Sequence, residues 1–303
     1  MSKKVFVIGS TGLLGTEMMR RLPDLGYEVI GRSLEQDNLD VTNIESVAEY
    51  LDTFEPDIVI NCAAITDVDG CESNMMYQRA LAVNTKAPQN IVTECIKREL
   101  TCVHISTDYI FSDEDTQGHQ EFDRSGRGAN AYGESKRLSE EGIINLCGGL
   151  INSDFQLQDP KIYIVRISWL FGHNGVNFVQ KITDLAKEKS ELKVVDDEFG
   201  CPTYTKDVVE GVHHVLSTDM AAGIYHMCSP AVCSRYEFAE HILRRIDSPP
   251  QLLPAKMEEF PRPAHIPHYS ILKNTKLPAF RNWQQMYDDF ADSDTPILPN
   301  ISA

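Results

Sequence analysis

The chain has 303 residues, of which 42% are hydrophobic and 24% are charged, and its formal net charge is -17. The acidic charge disfavours nucleic acid as a partner, because binding to phosphate backbones needs a basic surface. No apolar run approaches the roughly 20 residues that cross a bilayer, and the four-residue apolar run near the N-terminus is too short for a signal peptide. We therefore expect a cytoplasmic protein with no membrane partner, large enough for one domain or two that share an interface.

The eight cysteines are scattered along the chain and include no C-x-x-C pair. Most of them lie in apolar surroundings such as INCAA and TCVHIS. This pattern predicts buried, reduced thiols, and it favours neither a zinc site nor a disulfide framework. No metal site is predicted.

The first half of the chain alternates short apolar runs with amphipathic ones. Strands are predicted at 3–9, 27–31, 57–61, 101–106 and 161–168. Helices are predicted at 13–26 and 43–56, from about 75 to 100, and from residue 130 onward. Alternating strands and helices predict an α/β fold with a Rossmann-type, doubly wound parallel sheet.

After about residue 175 the pattern loosens. A helix is predicted at 235–246, and residues 248–267 are rich in proline, which disfavours long regular elements. We assign residues 1–175 to a dinucleotide-binding domain, to which part of 195–230 returns, and 176–303 mainly to a smaller, irregular α/β substrate-binding lobe. Residues 147–160 are predicted to form a surface loop, and the acidic tail after about Asp288 is predicted to be weakly ordered.

The sequence GSTGLLG follows the first predicted strand and opens the first helix, with glycines at positions 9, 12 and 15. Gly9 permits a tight turn, Gly12 lets the backbone approach a pyrophosphate, and Gly15 lets helix and strand pack closely. This context is typical of a dinucleotide site. The predicted cofactor contacts in this loop are Gly9, Thr11, Gly12, Leu13, Leu14 and Gly15.

The end of the second strand indicates which dinucleotide binds. An acidic residue there would bind the ribose hydroxyls of NAD, whereas an arginine accommodates the 2′-phosphate of NADP. Arg32 occupies this place, which favours NADPH, with NADH as the alternative. A solvated turn arginine is the competing interpretation.

A hydroxyl, a phenol and an amine could converge beside the nicotinamide ring. Ser106 and Thr107 end the fourth strand, where parallel strands present ligand-binding residues, and both are predicted to point into the crevice. Tyr132 and Lys136 share one face of the next helix. A lysine cation would lower the pKa of the phenol and make it a proton donor to a carbonyl oxygen. Taken alone, the Tyr–Lys pair fits a solvated helix better, but its position after this glycine-rich loop and this strand end favours the catalytic interpretation.

These motifs resemble those of the extended short-chain dehydrogenase/reductases, and within them the dTDP-4-dehydrorhamnose reductase family, over roughly residues 4 to 285. The matching segments are GSTGLLG, NCAAITDVDGCE (61–72), VNTKAPQN (83–90), STDYIF (106–111), YGESK (132–136), RISWLFG (166–172), DDEFGCPTYTKDV (196–208) and RPAHIPHYS (262–270). The resemblance implies NADPH-dependent reduction of the 4-keto group of a nucleotide-linked 4-keto-6-deoxy sugar, foremost dTDP-4-dehydro-L-rhamnose.

The resemblance also implies roles for individual residues. Thr107, Tyr132 and Lys136 match the catalytic set, with Lys136 also holding the nicotinamide ribose. Further cofactor contacts are implied at Asp40, Val41, Ala63, Ala64 and Thr66. Substrate contacts are implied at Val68, Asp69, Ser106, Thr107, Asp108, Tyr109, Trp169 and Arg262, with a supporting role at most for Asp108.

Two features of the sequence and two alternative functions bear on this interpretation. Asp108 and Tyr109 follow Thr107 where sugar-nucleotide 4,6-dehydratases carry an Asp-Glu pair, which favours simple ketone reduction. The glutamates that bind metal in some family members have no counterpart beside Leu13, Leu14 and Thr16, so a metal-linked dimer is in doubt and a homodimer stays open. The alternatives are a reductase of a UDP-linked or N-acetylated 4-keto sugar, or a non-catalytic NADP-binding subunit resembling the regulatory subunit of methionine adenosyltransferase.

Overall fold

The computed structural model describes residues 2–112, 115–149 and 161–293. Most of the loop predicted at 147–160 lies outside these residues. Thirteen strands occur in the described ranges: β1 (Lys4–Ile8), β2 (Glu28–Arg32), β3 (Ile58–Asn61), β4 (Thr101–Thr107), β5 (Ile162–Ile167), β6 (Leu170–Phe171), β7 (Glu191–Val195), β8 (Phe199–Gly200), β9 (Thr203–Tyr204), β10 (Gly223–His226), β11 (Cys233–Ser234), β12 (Gln251–Ala255) and β13 (Tyr269–Ser270).

Ten α-helices connect and cover these strands in the same part of the chain: α1 (Leu13–Arg21), α2 (Leu34–Asp37), α3 (Ile44–Phe54), α4 (Asn74–Ala80), α5 (Ala87–Lys97), α6 (Ala131–Leu146), α7 (Phe178–Glu188), α8 (Thr205–Ser217), α9 (Arg235–Leu243) and α10 (Trp283–Asp292). A π-helical segment, Leu81–Lys86, joins α4 to α5. Among the described residues, none of these helices is both long and apolar enough to cross a membrane.

Six strands form one parallel sheet in the order β10-β5-β4-β3-β1-β2. The chain moves from β1 to β2 on one side and then returns to β3 on the other side of β1. The strand order therefore reverses between β1 and β3, and open parallel sheets bind ligands outside the carboxyl ends of the strands at such a point. The predicted Rossmann-type α/β fold is confirmed.

The sheet carries a hydrophobic core on each face. Val5 and Val7 of β1 belong to the core under α1 and α8, whereas Phe6 and Ile8 belong to the core under α3 and α5. Successive side chains of a strand point to opposite faces, so a strand buried on both faces reads as a continuous apolar run. This is why the short run at the N-terminus is a central strand.

A third core joins α7, α9 and α10 with the small parallel pair of β7 and β12. Tyr287 and Phe290 of α10 are buried in it. The prediction of a weakly ordered tail after Asp288 is therefore wrong as far as Asp292, because helical spacing places these aromatic rings on one inward face. Residues 294–303 of that tail lie outside the described residues. The division into two domains stays a prediction.

The helix predicted from about 75 to 100 is interrupted. Residues 81–86 form the π-helical segment, and the helix ends at Lys97, followed by a turn in which Glu99 has a φ of +57°. Asn84 in the π-helical segment is fully buried. Its amide binds both backbone groups of Ile65 and the hydroxyl of Ser135, so the loop after β3 is tied to α6. π-segments within helices often occur at functional sites.

Candidate active site

A cleft of about 390 Å³ lies at the carboxyl ends of the central strands. Thirteen predicted site residues line it together: Gly12, Leu13, Leu14, Ala64, Thr66, Val68, Ser106, Thr107, Asp108, Tyr109, Tyr132, Lys136 and Trp169. The other predicted site residues lie outside this lining: Gly9, Thr11, Gly15, Arg32, Asp40, Val41, Ala63, Asp69 and Arg262. The fold thus brings the central part of the predicted site together in one place.

The glycine-rich turn between β1 and α1 has the shape that a pyrophosphate needs. Gly9 has a φ of +76°, and a Cβ on Gly15 would lie 2.1 Å from the carbonyl oxygen of Gly9. In this described segment, no side chain caps α1 and no acidic residue lies in its first turn. The first N–H groups of a helix lack helical partners and attract anions, so this terminus fits a dinucleotide phosphate.

Asn174, from a later segment of the chain, hydrogen-bonds to this turn. Its side-chain nitrogen lies 2.9 Å from the carbonyl oxygen of Thr11 and 2.7 Å from the hydroxyl of Thr16. The backbone carbonyl of Thr11 therefore accepts a hydrogen bond from Asn174, while the hydroxyl of Thr11 donates to Glu35 at 3.3 Å. Asn174 of the segment GHNGVNF (172–178) thus helps to hold the glycine-rich turn in place.

We expect Gly12→Ala to fold with near-normal stability and to lose at least about tenfold in NADPH affinity, because a side chain there would block the approach of the pyrophosphate. A Cβ on Gly12 would meet only the carbonyl oxygen of Gly9, at an ordinary 3.5 Å. Gly15→Ala is the matched variant, and its clash with the turn is expected to lower thermal stability as well. Thermal melting and NADPH fluorescence titration measure the two effects. Unchanged NADPH affinity in Gly12→Ala would contradict the placement.

Three residues were predicted to contact the adenosine half of the cofactor: Arg32, Asp40 and Val41. The guanidinium of Arg32 lies 3.5 Å from Asp37 and over the ring of Phe54, and its backbone carbonyl accepts from the N–H of Gly9. The exposed side chain of Asp40 caps a turn by binding Thr42, and Val41 packs against the core. Their cofactor contacts stay predictions.

Thr107 and Tyr132 meet at the floor of the cleft, where both are buried. The hydroxyl of Thr107 donates to a carboxylate oxygen of Asp108 at 2.8 Å. The carboxylate of Asp108 accepts a second bond of 2.8 Å from Ser168. Burial raises the pKa of Asp108 and that of Tyr132, so the phenol of Tyr132 keeps its proton at neutral pH.

Lys136 is buried one helical turn after Tyr132, and its amine turns toward β4. Nζ lies 2.6 Å from the carbonyl oxygen of Ile105 and 3.3 Å from Nε2 of His104. Burial lowers the pKa of Lys136 to about 8. We expected Lys136 to lower the pKa of Tyr132. In the structure the pKa of Tyr132 is raised instead, because burial of the phenol removes it from water and this is the largest influence on the pKa.

The side chain of Ser106 does not point where the sequence predicted. Ser106 lines the cleft, but its hydroxyl donates to the buried carboxylate of Glu140 on α6. Side chains alternate along a strand, so neighbours such as Ser106 and Thr107 face opposite sides of β4. The prediction that both hydroxyls point into the crevice is therefore wrong for Ser106.

Trp169 forms one wall of the cleft together with Arg235, which was not among the predicted site residues. The guanidinium carbon of Arg235 lies 3.4 Å from the centre of the Trp169 ring, and Arg235 is bound to Glu198 at 2.8 Å. The indole N–H of Trp169 donates to Ser270 at 3.2 Å. Trp169 also has a φ of +44°, an uncommon conformation for a bulky residue that tends to occur at functional sites.

Arg262 and Asp69 form an ion pair of 2.9 Å outside the cleft lining. Asp69 also accepts from the backbone N–H of Ala264, and the bond from Arg262 holds the pKa of Asp69 below its usual range. Arg262, Arg235, Lys181 and Lys193 line a neighbouring cavity of about 440 Å³. Glu198 is the acidic residue in this lining and pairs with Arg235, so cations outnumber carboxylates around the cavity in a chain with a net charge of -17.

Arg235 and Val176 line the cleft but were absent from the predicted site. A signal for Arg235 exists in the sequence: Ser234 and Glu237 form a capping box that starts α9, and Arg235 is its first helical residue. A cation at a helix N-terminus opposes the helix dipole, which suggests another use for it. Val176 lies in an irregular segment whose position only the folded chain reveals.

Comparisons with known proteins agree with this geometry. A family model, the RmlD substrate binding domain, matches residues 3–294. The spore coat polysaccharide biosynthesis protein SpsK of Bacillus subtilis is 35% identical over 95% of this chain and 96% of its own length. The dTDP-4-dehydrorhamnose reductase of Burkholderia thailandensis is 31% identical over 90% of this chain and 91% of its own length.

A solved structure extends the likeness to three dimensions. The dTDP-4-dehydrorhamnose reductase of Bacillus anthracis in complex with NADP has a TM-score of 0.87 and 30% identity, covering 96% of this chain and 99% of that one. The resemblance seen in the motifs is thereby confirmed. The chain belongs to the RmlD substrate-binding domain family.

Proposed function

We propose that the chain reduces the 4-keto group of a dTDP-linked 4-keto-6-deoxy sugar with NADPH, and that dTDP-4-dehydro-L-rhamnose is its substrate. One observation carries this conclusion: Thr107, Tyr132 and Lys136 line one cleft with the glycine-rich turn. The relatives named as dTDP-4-dehydrorhamnose reductases, and the NADP in the solved structure, support the same activity. The intact catalytic set favours an enzyme over a regulatory subunit.

Within this proposal, Tyr132 is the proton donor. NADPH supplies a hydride to the carbonyl carbon, and the negative charge that develops on oxygen needs a proton. The phenol of Tyr132 is neutral and lines the cleft together with Thr107, so it can donate its hydrogen to a carbonyl oxygen bound there. The Thr107 hydroxyl donates its single hydrogen to Asp108 at 2.8 Å in the structure, so it must rotate away from Asp108 to donate to the carbonyl when substrate binds. Thr107 orients the carbonyl and Tyr132 protonates it.

The basic cavity supports a nucleotide diphosphate as the rest of the substrate. It shares Arg235 with the catalytic cleft, so one elongated molecule could occupy both. Arg262 and Lys181 would face the diphosphate, and arginine forks match phosphate oxygens well. The ring of Phe260, which is 44% exposed, lines the same cavity and offers a surface for a nucleobase.

NADPH oxidation against a panel of dTDP-, UDP- and GDP-linked 4-keto-6-deoxy sugars tests the proposal. We expect the highest kcat/KM with dTDP-4-dehydro-L-rhamnose and at least about tenfold less with the other nucleotides, since a mismatched base leaves polar groups unpaired. A UDP-linked or N-acetylated sugar as best substrate would replace the proposed one. No oxidation with any of them, in a chain that binds NADPH, would favour the regulatory alternative.

We further propose a cytoplasmic location, a dinucleotide-binding domain at 1–175 and a substrate-binding lobe mainly at 176–303. All eight cysteines lie in the described ranges and form no disulfide with one another there, which suits a reducing compartment. β10 and α8, from residues 205–226, belong with the central sheet and support the return of part of 195–230 to the first domain. A homodimer stays a prediction.

A further inference from the structure

A row of buried polar side chains lies behind the catalytic lysine. Asn61 of β3 and His104 of β4 are partners in the register of the two strands, and both are less than 3% exposed. Nδ2 of Asn61 lies 3.2 Å from Nδ1 of His104, and Nε2 of His104 lies 3.3 Å from Nζ of Lys136. The row therefore runs from one strand through the next to the amine on α6.

The orientation of Asn61 determines the tautomer of His104. Its Oδ1 accepts from the backbone N–H of Ala63 at 3.1 Å, so its NH₂ group is the one that faces Nδ1 of His104. An NH₂ group donates, so Nδ1 must be an acceptor. Burial and the nearby Lys136 lower the pKa of His104 well below its usual range, so the ring is neutral. A neutral imidazole with an acceptor at Nδ1 carries its hydrogen on Nε2.

The Nε2–H group then faces two neighbours, each at 3.3 Å: the hydroxyl of Ser139 and the amine of Lys136. An N–H group cannot accept a hydrogen bond from an ammonium ion, but it can donate one to a neutral amine. The carbonyl oxygen of Ile105 is the acceptor that serves the ammonium form of Lys136. His104 thus favours the neutral amine of Lys136 over the ammonium form.

The other titratable groups that face Lys136 act in the opposite direction or remain neutral. Glu140, on the same helix, favours the cation, but its carboxylate is paired with Arg166 at 2.7 Å. Burial raises the pKa of the Cys62 thiol, which follows β3, to about 12, so it is uncharged at neutral pH. His104 is therefore the neighbour whose hydrogen position bears directly on Lys136.

We propose that Asn61 and His104 are positioning residues for Lys136: Asn61 fixes His104 as its Nε2–H tautomer, and this N–H stabilises the neutral amine of Lys136 relative to the ammonium form. The inference rests on the proposed function only for its catalytic consequence. A lysine that changes protonation near neutral pH can exchange protons in each turnover, whereas a fixed ammonium cannot. The tautomer and the titration of the amine are properties of the chain alone.

The tautomer is measured by long-range ¹H–¹⁵N NMR of the histidine-labelled chain, with the His104 signal assigned by its loss in His104→Phe. We expect Nε2–H for His104. His226 is an internal reference of the opposite kind, because its Nδ1 lies 2.9 Å from the carbonyl oxygen of Lys273 and must carry the hydrogen. An Nδ1–H tautomer at His104 would overturn the proposal.

The effect on the amine is measured by ¹³C NMR titration of labelled lysines, with the Lys136 signal assigned by its loss in Lys136→Met. Asn61→Asp keeps the acceptor for Ala63 but accepts from Nδ1, so it should switch His104 to Nδ1–H and raise the titration midpoint of Lys136 by about one pH unit or more. Ser139→Ala removes the competing neighbour of Nε2–H and should lower the midpoint. Ser135→Ala, an equally buried serine on α6, should leave it in place.

A tautomer switch in Asn61→Asp that leaves the Lys136 midpoint unmoved would overturn the proposal, as would equal shifts in Ser139→Ala and Ser135→Ala. The added carboxylate of Asn61→Asp also acts through its charge, and the downward shift in Ser139→Ala separates the two causes because no charge is added there. If the chain proved inactive toward every keto sugar, these NMR results would stand. Failure of this inference is therefore distinguishable from failure of the proposed function.

Discussion

Tyr132→Phe is expected to lower kcat by about 10²–10⁴-fold, the usual contribution of a positioned general acid. The variant keeps the ring, which is buried and packs edge-on against Tyr109 at 6.4 Å between ring centres. It loses the hydroxyl that carries the transferable proton. NADPH affinity should change little, since the glycine-rich turn is unaltered. Stopped-flow NADPH oxidation and fluorescence titration measure the two quantities.

Tyr163→Phe is the matched control for this variant. Tyr163 is also a buried tyrosine, and its hydroxyl donates to the carbonyl oxygen of Met220 at 2.8 Å, away from the cleft. Tyr163→Phe removes one buried hydrogen bond and should lose about 1 kcal/mol of unfolding free energy, so it controls for the removal of a buried tyrosine hydroxyl. Only Tyr132→Phe should lose turnover. Turnover near the wild-type level in Tyr132→Phe would refute its assignment as proton donor.

The central sheet was predictable because its strands carry a strong and local signal. The run VFVI is apolar at every position because alternate residues enter different cores, and that pattern is typical of a central parallel strand. The glycine-rich turn was predictable for a related reason: Gly15 meets the backbone of Gly9, a contact within seven residues of chain. Local geometry leaves a local trace in the sequence.

The parts of the site that depend on distant contacts were less predictable. Arg235 reaches the cleft because it lies over Trp169, 66 positions earlier, and is held by Glu198. The side chain of Ser106 was assigned to the wrong face because its partner, Glu140, lies on a helix 34 residues later. Neither contact has a sequence spacing that a helix or strand would impose, so only the folded chain reveals them.

Arg166→Met is expected to lower the unfolding free energy by about 3–5 kcal/mol, the usual cost of leaving one buried charge without its partner. The pair of Arg166 on β5 and Glu140 on α6 is 2.7 Å apart, and the two side chains are only 3% and 4% exposed. Glu140 also accepts from Ser106. The variant would leave a carboxylate in the sheet–helix interface, beneath the catalytic helix. Urea unfolding measures the loss.

Two further variants decide whether the buried charge is the cause. Arg244→Met breaks an ion pair with Glu240 whose side chains are 65% and 51% exposed, and it should cost no more than about 1 kcal/mol because water screens such pairs. The double variant Arg166→Met/Glu140→Leu removes both charges and should recover much of the stability lost in Arg166→Met. A double variant no more stable than Arg166→Met would mean that the unpaired carboxylate is not the main cause of the lost stability. The packing around Arg166, and the bond that it makes to His226 at 3.2 Å, would then matter more.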